Sequence, residues 1–156
     1  MVTAPITKEG FERLQVELKR LKNDERPAIA RALEEAIGHG DLKENAEYHA
    51  AKDKQGLIEA RIRQVEAILG DSQVVDPKAQ AGDTIAFGAH VTVVDLETEK
   101  ESTYQIVGEH ESDLDQGRIS IKSPLARALM GKAVGDDVEF ETPKGARELE
   151  IAGISY

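Results

Sequence analysis

Apolar residues in the first half of the chain recur at steps of three and four residues, which is the spacing of one stripe along an α-helix. The first series consists of Phe11, Leu14, Leu18, Leu21, Ile29, Leu33 and Ile37. The second series consists of Tyr48, Ala51, Gln55, Ile58, Ile62, Val65 and Leu69. A stripe of this width is typical of a helix that packs against one partner, so the pattern predicts two helices that pair with each other.

The segment between the two series predicts a reversal of the chain. Gly38 and Gly40 flank His39, and each glycine disfavours a helix by about 1 kcal/mol while permitting left-handed backbone conformations. Two helices joined by so short a connection run antiparallel, and about 30 residues at 1.5 Å each make a hairpin roughly 45 Å long. Pro27 predicts a bend within the first helix, and Gly70 predicts the end of the second.

The second half of the chain changes to short alternating runs, which predict β-strands. These runs cover residues 84–87, 90–94, 102–107, 118–121, 138–142 and 148–154. Ser123 and Pro124 precede an apolar run that ends at Gly131, which predicts a short helix with Ser123 as its N-cap and Pro124 as its first residue. The fold class is therefore α+β. We expect an N-terminal antiparallel coiled-coil hairpin over residues 1–76, a linker over 77–82, and an antiparallel β-sheet domain with a short helix over 83–156.

Composition narrows the classes of function. The chain has 156 residues, no cysteine, no tryptophan and a formal net charge of −10, which excludes a disulfide framework and a thiolate metal site and argues against sequence-independent binding of nucleic acid. No apolar run approaches the roughly 20 residues that span a bilayer, so we expect a cytoplasmic protein with no membrane partner. We interpret the basic residues on the outer helix faces as solvated: Lys19, Arg20, Lys22, Arg26, Lys52, Lys54, Arg61 and Arg63.

Asp41 and Glu44 are the candidate chemical groups of the predicted hairpin tip. Residues three apart lie on one face of a helix, and their spacing also fits a capping box in which Asp41 is the N-cap and Glu44 the reciprocal acid. Their place at the end of a long hairpin suits delivery into another molecule, where two carboxylates can complete a Mg²⁺ site that the partner already holds in part. His39 beside them raises the alternative of a transition-metal site, although a solvent-facing turn residue is the simpler interpretation.

The residues of the tip also carry a resemblance. Gly40-Asp-Leu-Lys-Glu-Asn-Ala-Glu-Tyr-His-Ala-Ala-Lys52 resembles the tip signature of the Gre family of bacterial transcript cleavage factors. The opening Ile6-Thr-Lys-Glu-Gly, the pair Arg26-Pro27 and the C-terminal segment from Ser123 to Lys132 are similar to the same family, so the resemblance covers essentially the whole chain. Leu42-Lys43 is similar to the GreA branch rather than the GreB branch, in which Arg-Ser is usual.

The resemblance implies a function for the hairpin. It implies that the coiled coil enters the secondary channel of RNA polymerase, where Asp41 and Glu44 share a Mg²⁺ ion with the polymerase active site and stimulate its cleavage of backtracked RNA. The factor then donates carboxylates, is not itself an enzyme and binds no cofactor stably. Support of the tip would fall to Gly40, Lys43, Asn45, Glu47 and Tyr48, and contacts to the nascent RNA 3′ end or the channel would fall to Lys43 and Lys52.

The resemblance also implies a monomeric factor whose C-terminal domain has an FKBP-like fold. This domain would dock at the rim of the polymerase channel through Ser123, Pro124 and Leu125. A cap that packs internally explains the same three residues. Prolyl isomerase activity is disfavoured because few aromatic residues are available to line an apolar pocket, namely Phe87, Tyr104, Phe140 and Tyr156. The acidic stretch from Glu97 to Asp115 is interpreted as a solvated face.

The chain departs from the family pattern at one place, and two alternative functions are compatible with the sequence. The family commonly carries Arg just before the tip, where this chain has Ile37 followed by Gly38. A coiled-coil protein that occupies the same channel and regulates without cleavage is one alternative. A stand-alone metal-dependent hydrolase is the other.

Overall fold

The computed structural model describes residues 4–40 and 44–156 and divides them into two compact units. One unit is the helical segment Phe11–Asp71, and the other combines residues 4–10 with Ser72–Tyr156. The predicted α+β class is confirmed. The unit boundaries differ from the predicted ones, because residues 4–10, which include the start of the first helix, and residues 72–76 group with the sheet unit.

The hairpin is built from three α-helices and one π-helical segment. Their bounds are α1 Lys8–Arg20, the π segment Leu21–Glu25, α2 Arg26–Ile37 and α3 Ala46–Asp71. The π segment precedes Pro27, and the Arg26 N–H bonds the Leu21 carbonyl five residues back. The widened turn takes up the proline, which has no N–H to donate, without ending the helix. The predicted end at Gly70 is wrong, since α3 passes through this residue to Asp71.

The apolar stripes form the core of the hairpin, with one shift near the tip. A buried cluster contains Leu21, Ile29, Leu33, Ala51, Ile58 and Ile62. At the end of α2 the buried residue is Ala36, which is 3% exposed, whereas Ile37 is 54% exposed. Two successive steps of four residues rotate a side chain about 80° around a helix of 3.6 residues per turn, so Ile37 leaves the stripe and Ala36 takes its place.

Ion pairs across the two antiparallel arms set their register. The pairs are Arg26 with Glu59, Arg61 with Glu17, and Lys22 with Glu66. Both arginines bind their carboxylates through two nitrogens, at 2.8 and 2.9 Å for Arg26 and at 2.6 and 2.9 Å for Arg61. In this forked geometry the planar guanidinium makes two parallel bonds to the carboxylate, which makes the pairing more specific. Lys22, Arg26 and Arg61 therefore lie on a solvated surface, as expected, and in addition pair with carboxylates of the facing arm.

Replacing Glu17 with Gln is expected to lower the unfolding free energy by about 0.2–1 kcal/mol at pH 7, the range for exposed ion pairs. The hydrogen bond from Arg61 holds the pKa of Glu17 below its ordinary value. A carboxyl whose pKa is lowered by folding stabilises the protein above its unfolded pKa of about 4.3, and this contribution is lost as the pH falls through the folded pKa. Urea unfolding should therefore separate the variant from wild type at pH 7 and bring the two together in acid.

The matched control for that prediction is Glu12→Gln on the same helix. Glu12 is exposed, so its loss should leave stability within about 0.5 kcal/mol of wild type at both pH values. A Glu17→Gln deficit that stays the same in acid would contradict the role given to the Arg61 pair.

The second unit contains a five-stranded sheet in the order β5-β4-β3-β7-β6. The strands are β3 His90–Asp95, β4 Glu101–Val107, β5 Arg118–Ser120, β6 Asp137–Thr142 and β7 Gly145–Ser155. All neighbours pair antiparallel except β4 with β5, which pair in parallel. The short helix α4, Pro124–Leu129, contributes Ala126 and Leu129 to the same buried core as the sheet.

The predicted strand over residues 84–87 is wrong, although its alternation is real. Ile85 and Phe87 are buried in the sheet core, but Thr84 forms only an isolated bridge with Ala133. The Ala86 N–H donates to the Tyr156 hydroxyl at 2.9 Å instead of to a neighbouring strand. Inward-facing apolar residues therefore produced a strand pattern in a segment that has no ladder partner.

A small parallel sheet, which the sequence pattern did not predict, ties the start of the chain into this unit. It pairs β1, Ala4–Thr7, with β2, Ser72–Val75. Beside it the Glu111 carboxylate is 8% exposed and accepts bonds from the Thr7 N–H at 2.9 Å, the Gly108 N–H at 2.8 Å and the Thr7 hydroxyl. Glu111 lies within the stretch predicted to be a solvated face, so that prediction is wrong at this residue.

Among residues 4–40 and 44–156, no helix is long and apolar enough to cross a bilayer.

Candidate functional site

The connection between α2 and α3 forms the tip of the hairpin, and its two glycines behave differently. Gly38 is right-handed, with φ −64° and ψ −17°, and simply ends α2. Gly40 has φ +110°, a conformation that is strained for any residue with a side chain. Only Gly40 therefore needs to be glycine for its backbone conformation.

The predicted acid pair is only partly within the described residues. Asp41 and Lys43, with Leu42 between them, lie outside them, so the roles predicted for Asp41 and Lys43 stay predictions. Glu44 is described, is exposed and lies in a turn two residues before the first residue of α3. Within residues 4–40 and 44–156, no hydrogen bond or ion pair engages its carboxylate.

Asn45 caps α3. Its side-chain oxygen accepts from the Tyr48 N–H at 3.1 Å, which is the bond from an N-cap to the third helical residue. The capping-box interpretation is therefore wrong for Glu44, because the third position of α3 is Tyr48. The sequence pattern did not predict Asn45 as a cap, although asparagine caps helices about as well as aspartate.

Asn45 makes a second bond that no sequence pattern indicated. Its side-chain nitrogen donates to the carbonyl of Ala36, the next-to-last residue of α2, at 2.7 Å. The same carbonyl accepts from the His39 N–H at 3.1 Å. One side chain thus gives a second donor to a terminal carbonyl of one helix, accepts from an N–H in the first turn of the next, and joins the two across the tip.

The remaining tip residues include one ion pair and one packed ring. His39 Nδ1 lies 3.4 Å from the Glu47 carboxylate. Tyr48 is half-buried against the hairpin core, and its ring meets that of His49 edge-on with centroids 5.5 Å apart. In the part of the chain that the structure describes, no group of three or more His or acidic residues is placed to hold a metal ion.

The approach to the tip carries an apolar residue and a cation. Ile37, in the place where a basic residue is common in the family that the tip resembles, is exposed. Lys52 on α3 is exposed as well, so its ammonium group is accessible to an anionic partner.

The predicted docking segment combines a cap with an exposed proline. The Ser123 hydroxyl accepts from the Ala126 N–H at 3.2 Å and caps α4, as predicted. Leu125 packs partly against the sheet core, while Pro124 is exposed. The internal cap and an accessible surface therefore coexist in this segment. The aromatic residues Phe87, Tyr104, Phe140 and Tyr156 all pack in or against that core.

Both halves of the chain match models of one protein family. Residues 4–74 match "Transcription elongation factor, N-terminal", and residues 79–156 match "Transcription elongation factor, GreA/GreB, C-term". A relative named transcription elongation factor GreA from Jannaschia sp. (strain CCS1) is 55% identical over 156 residues, which is 100% of this chain and 99% of that one. The protein of the same name from Acidiphilium cryptum (strain JF-5) is 51% identical over 97% of both chains.

Solved structures of similar chains include GreA factor homolog 1 (Gfh1) of Thermus thermophilus, which is 31% identical over 99% of both chains with a TM-score of 0.45. A GreA/GreB protein from Nitrosomonas europaea is 22% identical over 99% of this chain and 100% of that one, with a TM-score of 0.44.

Proposed function

Because the chain belongs to the GreA/GreB family of transcription elongation factors, we propose that its hairpin tip enters the secondary channel of RNA polymerase and stimulates cleavage of backtracked RNA. The observation that carries this proposal is the state of Glu44. Its carboxylate is exposed at the tip, and the helix cap that would have explained it internally is made by Asn45. An exposed acid that makes no hydrogen bond or ion pair with residues 4–40 or 44–156 is available to a partner.

The chemistry of the donor set suits a shared Mg²⁺ ion. Carboxylate oxygens are the hard ligands that Mg²⁺ prefers, and two of them leave most of its coordination shell for ligands from the polymerase and water. When bound there, the ion supplies a Lewis acid and an activated water for phosphodiester hydrolysis. Asp41 and Glu44 contribute negative charge and oxygen ligands, while the polymerase retains the catalytic framework. The chain is thus an activator and not an enzyme.

The rest of the molecule supports the tip and positions it within the polymerase. Paired helices whose register is held by ion pairs form a firm support for the tip, and Lys52 with Lys43 supplies positive charge for the nascent RNA 3′ end or the channel wall. Ser123, Pro124 and Leu125 provide the contact with the rim, with Pro124 as the accessible apolar surface. One cytoplasmic copy of the chain per polymerase is sufficient for this arrangement.

The direct test is cleavage of nascent RNA in a backtracked polymerase complex from a bacterium whose own factor is closely related. With Mg²⁺ present, the purified protein should raise the cleavage rate at least tenfold over the complex alone. Protein, RNA and Mg²⁺ without polymerase should give no shortened product. Hydrolysis in that second mixture would instead assign the activity to this chain and make it a metal-dependent hydrolase.

A second function is favoured by one observation, the exposed Ile37 at the approach to the tip. A hairpin with an apolar residue in place of a cation can occupy the channel and regulate transcription without stimulating cleavage. In the same assay such a regulator would slow nucleotide addition while leaving the cleavage rate at its basal value.

A further inference from the structure

The bond from Asn45 to Ala36 joins the two helices of the hairpin immediately beside Glu44. From this geometry we propose that Asn45 is a positioning residue, which holds the backbone of Glu44 at a fixed place relative to the end of α2. The proposal rests on the proposed function, because it concerns how the Glu44 carboxylate is delivered. It goes beyond capping, since a cap needs only one of the two bonds that Asn45 makes.

The two bonds have different chemical requirements. The bond from the Tyr48 N–H needs an acceptor, and the bond to the Ala36 carbonyl needs a donor. Among the residues that cap helices well, asparagine alone carries an acceptor and an N–H donor on one short planar group. Aspartate supplies only acceptors, and the hydroxyl of serine is too close to its own backbone to make both bonds in these directions.

We call the two bonds of Asn45, from the Tyr48 N–H and to the Ala36 carbonyl, the clasp. Its position next to Glu44 explains why it matters for the placement of that residue. The chain from Gly38 to Asn45 contains Gly40 at φ +110°, and a glycine leaves the backbone more conformations than any other residue. Asn45 anchors the far end of this segment to Ala36, whose own side chain is buried. Glu44 is bonded directly to that anchor, so its Cα can move little while the clasp is closed. A misplacement of about 1 Å in a catalytic group can slow a reaction by up to 10²-fold.

The chain offers a matched control for the test. Asn23 is the other asparagine in the sequence, and its side chain is exposed on the π segment. Asn45→Asp and Asn23→Asp make the same chemical change and add the same charge to the same hairpin. Asn45→Asp keeps the cap and places a carboxylate against the carbonyl end of α2, where the helix dipole disfavours negative charge. Asn45→Ser also keeps a cap, removes the long-range donor and adds no charge.

The experiment measures cleavage in backtracked polymerase complexes over a range of factor concentrations, with wild type, the three variants and Glu44→Gln side by side. Asn45→Asp and Asn45→Ser should lower the maximal cleavage rate about tenfold while the half-saturating concentration stays within about twofold, because docking does not use the clasp. Asn23→Asp should match wild type. Failure of wild type itself to stimulate cleavage would refute the proposed function and not the clasp.

A measurement on the free protein tests the clasp without polymerase. The side-chain amide proton of Asn45 that bonds the Ala36 carbonyl should exchange with solvent at least about tenfold more slowly than those of Asn23, because among the described residues the Asn23 side chain has no hydrogen-bond partner. Equal exchange rates would overturn the proposal, even if an Asn45 variant failed to fold. Wild-type maximal rates in both Asn45 variants, or a loss confined to the half-saturating concentration, would overturn it as well.

Discussion

Replacing Glu44 with Gln is expected to lower the factor-stimulated rate of RNA cleavage by at least about 10- to 100-fold. That range is the usual loss when a residue outside the first coordination shell of a metal is removed, and a direct ligand should cost no less. Gln keeps the shape of the side chain but replaces an anionic oxygen with an amide group, which is a much poorer partner for Mg²⁺. The rate is measured in backtracked complexes at saturating factor.

The fold indicates that this substitution should lower the cleavage rate without changing the stability of the protein. Glu44 is exposed, and α3 is capped by Asn45, so the variant should unfold at the same temperature as wild type. Asp41→Asn should show a similar loss of cleavage. Glu34→Gln is the matched control, because Glu34 is an exposed acid of the same hairpin to which no role in cleavage or tip support is assigned. Full stimulation by Glu44→Gln, with normal binding to polymerase, would rule out donation of this carboxylate.

The hairpin could be predicted from sequence because every signal for it is local. Steps of three and four residues give the paired stripes, and two glycines give the turn. The details that failed are those in which a choice between neighbours depends on the other helix. Ala36 replaces Ile37 in the core because the stripe must stay aligned with α3, and α3 continues through Gly70 because glycine permits a helix end without requiring one.

The sheet unit could be predicted less well, because its missing features join distant parts of the chain. β1 contains only four residues, includes Pro5 and pairs with a strand that begins at Ser72. Nothing in the local pattern of either segment indicates a partner so far away in sequence. The burial of Glu111 could not be predicted for the same reason. An acid in an acidic stretch is expected to be solvated, and the N–H groups that bind its carboxylate come from distant parts of the chain.

The candidate site could be predicted only in part, for a different reason. Spacing placed Asp41 and Glu44 together, but by itself it favoured a helix cap over a metal site. The choice for Glu44 depends on which residue caps α3, and Asp41 and Asn45 are both suitable by residue type. The three-dimensional position of the Tyr48 N–H decides in favour of Asn45. The partner that would receive the free carboxylate is a matter of family resemblance and not of local geometry.

The second large effect is expected far from the tip, at the buried Glu111. Glu111→Ala should lower the unfolding free energy by at least about 2 kcal/mol, because each buried donor left without a partner costs about 1–3 kcal/mol. The donors are the N–H groups of Thr7 and Gly108 and the Thr7 hydroxyl. Thr7 is also linked to α1, since its hydroxyl accepts from the Gly10 N–H at 3.0 Å. Loss of Glu111 should therefore loosen β1 and the first turn of α1 together.

Thermal unfolding and amide hydrogen exchange measure this effect at two levels. The Thr7 amide should exchange at least tenfold faster in Glu111→Ala, while the amides of the sheet centre, such as Val93 and Ile151, change only with global stability. Glu111→Gln keeps one acceptor oxygen, so its exchange rate at the Thr7 amide should lie between those of wild type and Glu111→Ala. Gly10→Ala should mimic the loss, because a Cβ at this position would overlap the Glu111 carboxylate.

Glu109→Ala is the matched control, because it removes an acid from the same 3₁₀ turn that is exposed and paired with Lys122. The Lys122 ammonium holds the pKa of Glu109 below its ordinary value through a hydrogen bond, but solvent screens the pair, so its removal should change the melting temperature far less. If Glu111→Ala and Glu109→Ala behaved alike, and the Thr7 amide kept its protection in both, β1 would be held by its pairing with β2 alone. The buried carboxylate would then have no part in joining the start of the chain to the sheet unit.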